Sequence, residues 1–172
     1  SQYMMKSNLQ FDDNTVEEVS LYMYLPPMVE APATIMHNSQ SPYQTLAFDS
    51  CLSGASDGFH TNDICLDVLN LQNRIEYKID TQFFEVFPEQ CAVGPEHPDY
   101  AQELANHFKK MKQTQLALDV IEGRNVFIPN KYDGRGRLYA QGYHISPQGN
   151  EFAKAILDLK NSCTVEVPTE FL

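Results

Sequence analysis

The stretch NKYDGRGRLYAQGYHISPQGNEF, residues 130–152, decides the fold predicted for this chain. Two glycines alternate with two arginines near its start, and glycine permits a tight turn because it has no Cβ. The apolar run NVFIP (residues 125–129) precedes the turn and the aromatic run RLYAQGYHI (residues 137–145) follows it, and both have strand-like compositions. Ser146 and Pro147 then suit the N-cap and the first position of a helix. We therefore predict strand, charged turn, strand and helix in that order.

The predicted C-terminal helix carries its apolar residues on one face. These residues are Phe152, Ala155, Ile156 and Leu159. Near the other end of the chain, a short helix is expected over residues 15–25, because the prolines that follow it cannot continue a helix. The proline-rich segment of residues 26–42 is predicted to be extended.

Two longer helices are predicted in the middle of the chain. The first is capped by Asn62 or Asp63 and is expected to run to about residue 80. The second, residues 98–123, shows the strongest helical pattern, since it begins at a proline and ends at a glycine. The apolar run between them, TQFFEVFP (residues 81–88), favours no single type of element.

These elements predict an α+β fold that is predominantly helical with a small β element. We expect a mainly helical region over residues 1–125, and a strand-turn-strand-helix region over residues 126–172. Apolar residues make up 42% of the 172-residue chain and charged residues 20%, as in folded globular domains. No apolar run is long enough to span a bilayer, so we expect no membrane among the partners.

The four cysteines lack the close CxxC spacing that zinc ligands usually show. They are Cys51, Cys65, Cys91 and Cys163. We interpret them as reduced structural thiols in a reducing, cytoplasmic compartment, with a zinc site or a Cys–His nucleophile as the alternative.

The positive charge of this acidic protein is concentrated in one window. The formal net charge is −11, yet residues 109–137 contain seven basic and three acidic residues. This window therefore carries +4 and the rest of the chain −15. The balance excludes a general nucleic-acid binder but is compatible with one local site for a polyanion.

The charged turn has the chemistry of a phosphate-binding site. Arg135 and Arg137 provide planar guanidinium groups that match phosphate oxygens. Asp133 can pair with one of them, and Tyr139 and Tyr143 can lie against Arg137. Such a site holds a nucleic-acid backbone without reading its sequence. The alternative is a solvated hairpin turn with an Asp–Arg ion pair, which contributes little to stability.

The segment GRNVFIPNKYDGRGRLYAQGYHISPQGNEFAKAILDL resembles the part of single-subunit, phage-type RNA polymerases (the phage and mitochondrial family) that carries the DxxGR motif. The matching positions are Asp133, Gly136 and Arg137 in the motif, Arg135 and Tyr139 beside it, and Pro147, Gln148, Gly149, Asn150 and Lys154 after it. The chain departs from the family at Gly134, where large aromatic residues are common, and at Ser146, which replaces Asn.

Weaker similarity extends upstream through the proline-rich segment. It continues into DVLNLQNRIEYKID, where Asn73, Tyr77 and Asp80 replace the Gln, Trp and Asn of the family helix. The resemblance implies a remnant of the family's N-terminal domain followed by the start of the palm of a right-hand polymerase.

The resemblance also implies roles for individual residues. Arg137 would hold phosphates of the template or of the RNA–DNA hybrid, and Arg135 and Lys131 would add to the positive field. Asp133 would orient the turn, and Lys154 would approach the nucleic acid from the following helix. Gly136 and Tyr139 complete the expected nucleic-acid-binding set.

The resemblance implies that no catalytic residue lies on this chain. Nucleotide addition in the family requires two metal-binding aspartates, and the matched region stops before they would occur. The segment AFDSCLSGASDGFH, with Asp49, resembles the first palm motif only superficially, because it lies upstream of DxxGR. The chain is then either a fragment or the small subunit of a split polymerase, and the composition of its tail, SCTVEVPTEFL, favours the split.

A split enzyme implies several partners. A larger subunit would supply the aspartates and bind Mg²⁺, and the complex would bind DNA template, RNA–DNA hybrid and NTPs in the cytoplasm of an infected bacterial host. Because the region before the motif is short, we expect little autonomous promoter recognition and dependence on an accessory promoter or single-strand-binding factor. The alternative function is a non-catalytic acidic phage protein that binds or regulates a polymerase.

Overall fold

The computed structural model describes residues 9–21, 24–43, 50–53, 62–87 and 89–161, which form a mixed α+β fold. The helices are α1 (Asp13–Leu21), α2 (Leu66–Asn73), α3 (Thr81–Val86), α4 (Tyr100–Ile121) and α5 (Glu151–Ala155). The strands are β1 (Glu76–Ile79), β2 (Val126–Phe127), β3 (Asn130–Tyr132), β4 (Leu138–Ala140) and β5 (Leu157–Leu159). The α+β class is confirmed, and both sheets are small.

The strands form two antiparallel sheets. The first has the order β2-β1-β5, with Tyr77 opposite both Val126 and Leu159. The second is the β3–β4 hairpin, in which Lys131 lies opposite Tyr139. The charged turn joins two strands, as predicted, but the strand before it is β3 and not the predicted run of residues 125–129, of which Val126 and Phe127 form β2 in the first sheet.

Two extended segments add single bridges to these sheets. Met28 pairs with Phe127, and the N–H group of each donates to the carbonyl of the other. Leu52 forms a parallel bridge with Tyr132. The proline-rich segment forms no helix or strand, but it is not extended throughout, because the Gln40 N–H donates to the His37 carbonyl in a turn at 3.0 Å. Asn70 holds the segment by bonding the N–H and the carbonyl of Ile35 at 2.8 and 2.9 Å.

The predicted helix over residues 62–80 is wrong in its second half. Helix α2 ends at Asn73, and residues Glu76–Ile79 form strand β1. Its N-cap residue is Cys65, and neither Asn62 nor Asp63 caps it. The EYKI run satisfies its backbone groups by pairing with two distant strands, and this tertiary pairing overrides the local helical pattern.

The predicted start of the C-terminal helix is also wrong. Asn150 is the N-cap of α5, and its side-chain oxygen accepts from the Ala153 N–H at 2.9 Å. Ser146 instead begins a turn, in which its carbonyl accepts from the Gly149 N–H at 3.2 Å. Only part of the predicted apolar face is buried, because Leu159 belongs to β5 and is exposed.

The remaining helix predictions agree with the structure. Helix α4 lies within the predicted range 98–123. It ends at Glu122 and Gly123, which have left-handed φ values of 54° and 71°. Helix α1 begins two residues before the predicted range 15–25, and residues 24 and 25 at the end of that range are not helical. The unassigned run after residue 80 forms α3, whose N-cap Asp80 accepts from the Phe83 N–H at 2.8 Å.

Two groups of buried side chains form the core. The larger joins α4, the first sheet and the end of α5 through Leu118, Ile121, Val126, Ile128, Ile145 and Ile156. The smaller lies beneath the hairpin and contains Ile35, Cys51, Leu52, Leu69 and Tyr132. The hairpin therefore packs against a buried cluster to which both the proline-rich segment and α2 contribute. The division of the chain at residues 125 and 126 stays a prediction.

No disulfide joins the three cysteines within the described ranges, Cys51, Cys65 and Cys91. Cys163, the tail from residue 162 onwards and the segment containing Asp49 lie outside these ranges. Within the same ranges, no helix combines the length and the apolar character that crossing a membrane requires.

Candidate nucleic-acid interface

The hairpin turn is a three-residue loop between Asp133 and Arg137. The Asp133 N–H donates to the Arg137 carbonyl at 2.9 Å, and the Gly136 N–H donates to the Asp133 carbonyl at 3.0 Å. Gly136 has φ +78°, which is the left-handed residue expected at the end of such a loop. Gly134 does not have a positive φ, and a Cβ on it would meet no atom within 4 Å. Only the second glycine is therefore required by the backbone.

Asp133 connects both arginines to the turn. Its Oδ1 accepts from the backbone N–H groups of Arg135 and Arg137, each at 2.9 Å. Its Oδ2 accepts from Arg135 Nε at 2.9 Å and lies 2.8 Å from Arg135 Nη2 and 3.4 Å from Arg137 Nε. One carboxylate, 16% exposed, therefore fixes the loop backbone and orients two guanidinium groups. The sequence predicted a pairing with only one arginine.

The two arginines remain accessible although they are anchored. The side chains of Arg135 and Arg137 are 70% and 53% exposed. Tyr139 contacts both, because its hydroxyl accepts from Arg135 Nη2 at 3.3 Å and its ring centroid lies 5.8 Å from Arg137 Cζ. A guanidinium carries five N–H donors, so both groups keep donors for an external anion. With Asp133 included, the cluster has a net charge of +1 and the geometry of a phosphate clamp.

Tyr143 does not belong to this cluster, contrary to the sequence-based expectation. Its ring stacks on Tyr24, with centroids 3.5 Å apart and planes 3° apart. It follows the end of β4, where the chain has left the alternating geometry that would place it on the same face as Arg137.

The two predicted lysines differ in accessibility. Lys131 lies in β3 and is only 8% exposed, so it is placed less favourably than the arginines for direct contact with a nucleic acid. Lys154 lies on α5 with an exposed side chain, 3.4 Å from Glu151 Oε1. Exposed ion pairs of this kind are weak, so Lys154 can exchange its partner for a phosphate.

Gln148 supports the hairpin in a way that sequence reasoning missed. Its Oε1 accepts from the Ala140 N–H at 2.8 Å, and its Nε2 donates to the Leu138 carbonyl at 3.2 Å. The side-chain amide thus acts like one residue of a neighbouring strand on the outer edge of β4. The resemblance marked Gln148 as a matching position without assigning it a function.

The base of the hairpin is fixed by buried polar contacts. Asn73 Oδ1 accepts from the Asn130 N–H at 2.7 Å, and the Tyr132 hydroxyl donates to the Cys65 carbonyl at 2.9 Å. Burial raises the pKa of Tyr132, so this hydroxyl stays protonated and continues to donate. Helix α2 therefore holds β3 at both ends of the strand.

Metal ligands do not gather at this interface. Within the parts of the chain that the structure describes, no three His, Cys, Asp or Glu side chains lie close enough together to hold a metal ion. The Mg²⁺ expected on a partner subunit stays a prediction.

No protein-family model matches the chain, and no curated protein matches it.

Proposed function

We propose that this chain is the small subunit of a phage DNA-directed RNA polymerase, and that it grips phosphates of the template or of the RNA–DNA hybrid through the β3–β4 hairpin. A larger partner would supply the two metal-binding aspartates, Mg²⁺ and the remaining active site. In this proposal the isolated chain is inactive.

The observation that carries the proposal is the arrangement around Asp133. One carboxylate orders the loop and both guanidinium groups, while more than half of each arginine side chain stays exposed. A structural ion pair needs only one arginine, and it contributes little on a surface. Two pre-oriented guanidinium groups on a rigid hairpin suit repeated phosphates, because less side-chain entropy is lost when a ligand binds.

The resemblance to the DxxGR segment agrees with this geometry. Asp133, Gly136 and Arg137 are the motif residues, and they are respectively the anchor, the left-handed turn residue and an exposed guanidinium. The main departure is Gly134, and its Cβ position opens onto free space. The first atom of a side chain at this position therefore meets no obstacle.

The chemistry of nucleotide transfer explains why the proposal assigns phosphate contacts to this chain and metal binding to its partner. Two paired cations stabilise the attacking 3′-oxygen and the leaving pyrophosphate, and aspartates must hold these cations. In this proposal the hairpin supplies contacts to phosphates, and the aspartates that hold the cations lie on the partner. The hairpin can then contribute position and charge beside an active site that the partner completes.

Purification of the tagged chain from infected cells, followed by mass spectrometry, tests the proposal. We expect a larger protein in stoichiometric amount that contains palm aspartates but lacks a DxxGR segment of its own. The purified complex should synthesise RNA, and the chain alone should not. A complete polymerase with its own DxxGR segment would instead identify this chain as a regulator.

A further inference from the structure

A polar cleft of about 490 Å³ lies between α4 and the segment of residues 89–92. Its walls include aromatic, basic and amide side chains, among them Tyr24, Tyr143, Asn106, Lys109, Lys110 and Gln113. The hairpin residues 130–140 are not among those that line it. The cleft is therefore separate from the phosphate clamp.

The aromatic pair in the cleft has an unusual geometry. The rings of Tyr24 and Tyr143 lie face to face, with centroids 3.5 Å apart. Aromatic pairs prefer offset or edge-to-face arrangements, because the negative faces of two rings repel each other. A planar, electron-poor ring that stacks on this pair or enters it relieves this repulsion. Nucleobases stack on aromatic side chains in this manner.

The charges of the cleft suit one phosphate better than a long polyanion. Lys110 is paired with Glu89 at 2.8 Å, whereas Lys109 has no ion pair among the described residues. Glu103 lies six residues before Lys109 on α4, which separates their backbones by about 9 Å along the helix. Lys109 can therefore bind one phosphate without a carboxylate close beside it on the helix.

A buried histidine lies against the aromatic pair. His144 is 7% exposed and meets the rings of Tyr24 and Tyr143 edge-on, at 5.4 and 4.7 Å. Neither of its ring nitrogens has a hydrogen-bond partner within the described residues. Burial, together with the charge of Lys110, lowers the pKa of His144 to about 4, so the ring is neutral at pH 7. His144 is not among the residues that line the cleft, so it packs against the ring pair and does not itself contact a ligand.

We propose that this cleft binds a single nucleotide unit, with its base stacked on Tyr24 and Tyr143 and its phosphate on Lys109. The inference rests on the proposed function for the source of the ligand, which is one nucleotide of a single strand leaving or entering the complex. A free nucleotide has the same chemistry and is the other source. The site would be a second contact with nucleic acid, distinct from the hairpin.

The test titrates the full 172-residue chain with UMP, dTMP and fluorescein-labelled eight-nucleotide RNA and DNA strands. The chain has nine tyrosines and no tryptophan, so a change in tyrosine fluorescence that Tyr143→Ala removes reports stacking on this pair. We expect Tyr143→Ala to weaken binding on the order of tenfold and Tyr143→Phe to restore it. Lys109→Ala should weaken binding and lower the salt dependence by about one phosphate contact, whereas Lys112→Ala on the same helix should bind normally. A preference for strands over mononucleotides that Tyr143→Ala removes identifies a strand as the source, and equal affinity identifies a free nucleotide.

The inference is overturned if the wild-type chain binds none of these ligands. It is equally overturned if Tyr143→Ala and Lys109→Ala bind as tightly as the wild type, once thermal unfolding has shown that both variants are folded. Arg137→Ala and Tyr143→Ala separate the two proposals, because the first should slow RNA synthesis by the complex and the second should weaken UMP binding by the chain. If Arg137→Ala abolishes UMP binding while Tyr143→Ala does not, the hairpin is the binding site and only the cleft proposal fails.

Discussion

Asp133 determines the geometry of the candidate interface at the scale of single residues. Its two oxygens bond the loop backbone and both guanidinium groups, so the orientation of Arg135 depends on the same carboxylate as that of Arg137. The sequence placed these residues together correctly because they are neighbours within one turn. It assigned Tyr143 to the cluster wrongly, because the stacking partner of Tyr143 lies more than a hundred positions away at Tyr24.

The two glycines of the turn should respond differently to substitution. Gly136→Ala forces a side chain into the left-handed region at φ +78°, so we expect a loss of about 1–2 kcal/mol in the free energy of unfolding. Gly134→Ala is the matched control and should be neutral or stabilising by about 0.5 kcal/mol, since its position is open. Urea unfolding of both variants measures the difference. Equal losses would contradict the assigned turn geometry.

His144 should make stability depend on pH. Burial and the nearby Lys110 lower its folded pKa to about 4 from the ordinary value of 6.5, so the unfolded chain binds a proton that the folded chain rejects. The contribution of His144 to the free energy of unfolding is fully present above pH 6.5. It falls as the pH drops and is lost by about pH 4, with a total of about 1–3 kcal/mol. The groups that face this ring are Tyr24, Tyr143 and Lys110.

The variant His144→Phe isolates this contribution. Its free energy of unfolding should fall less steeply than that of the wild type between pH 6.5 and pH 4, whereas the two curves should run parallel above pH 7. Parallel curves over the whole range would show that His144 is not protonated preferentially in the unfolded chain.

At the scale of secondary structure elements, the hairpin depends on the segment that follows it. The amide of Gln148 occupies the outer edge of β4 and bonds Leu138 and Ala140. An edge strand with free N–H and carbonyl groups is prone to fray or to pair with other chains. Gln148 therefore connects the hairpin to the turn before α5, and it keeps the edge of β4 satisfied.

Gln148→Ala should loosen β4 without unfolding the protein. We expect the Ala140 amide to exchange its hydrogen faster, and the free energy of unfolding to fall by about 1 kcal/mol, because two exposed hydrogen bonds are lost. The control is Gln141→Ala, since Gln141 bonds only the nearby Tyr139 carbonyl through its side chain. Hydrogen exchange followed by NMR measures the protection of the Ala140 amide in both variants. Unchanged protection of Ala140 in the Gln148 variant would refute the bridging role.

The errors in element prediction have a common physical cause. The helix-like spacing of Ile75 and Ile79 persists in the sequence, but β1 finds its hydrogen-bond partners about fifty and eighty residues downstream. Ser146 and Pro147 have a typical helix-start composition, but the bonds of Gln148 to β4 require a turn at that point. Local propensity predicted α4 well, because a long helix satisfies its own backbone groups.

At the scale of the whole molecule, charge and exposed contacts agree with a specific and limited role in nucleic-acid binding. A net charge of −11 repels polyanions from most faces, while residues 109–137 carry the opposite charge. This window includes Lys109 and Lys110 beside the cleft as well as the arginines of the hairpin. An acidic protein with local basic sites can bind a nucleic-acid strand at those sites while its other surfaces repel nucleic acid.

The transcription rate of the Arg137→Ala complex measures whether the β3–β4 hairpin grips nucleic acid during RNA synthesis. The measurement compares the wild-type complex, Arg137→Ala and the control Arg74→Ala, which removes the same charge from an exposed residue at the end of α2. Each complex is purified with its partner and assayed on a single-stranded template. We predict that Arg137→Ala assembles normally but synthesises RNA at least tenfold more slowly, with a weaker dependence on salt, while Arg74→Ala behaves like the wild type. Wild-type synthesis by the Arg137→Ala complex would contradict this role of the hairpin.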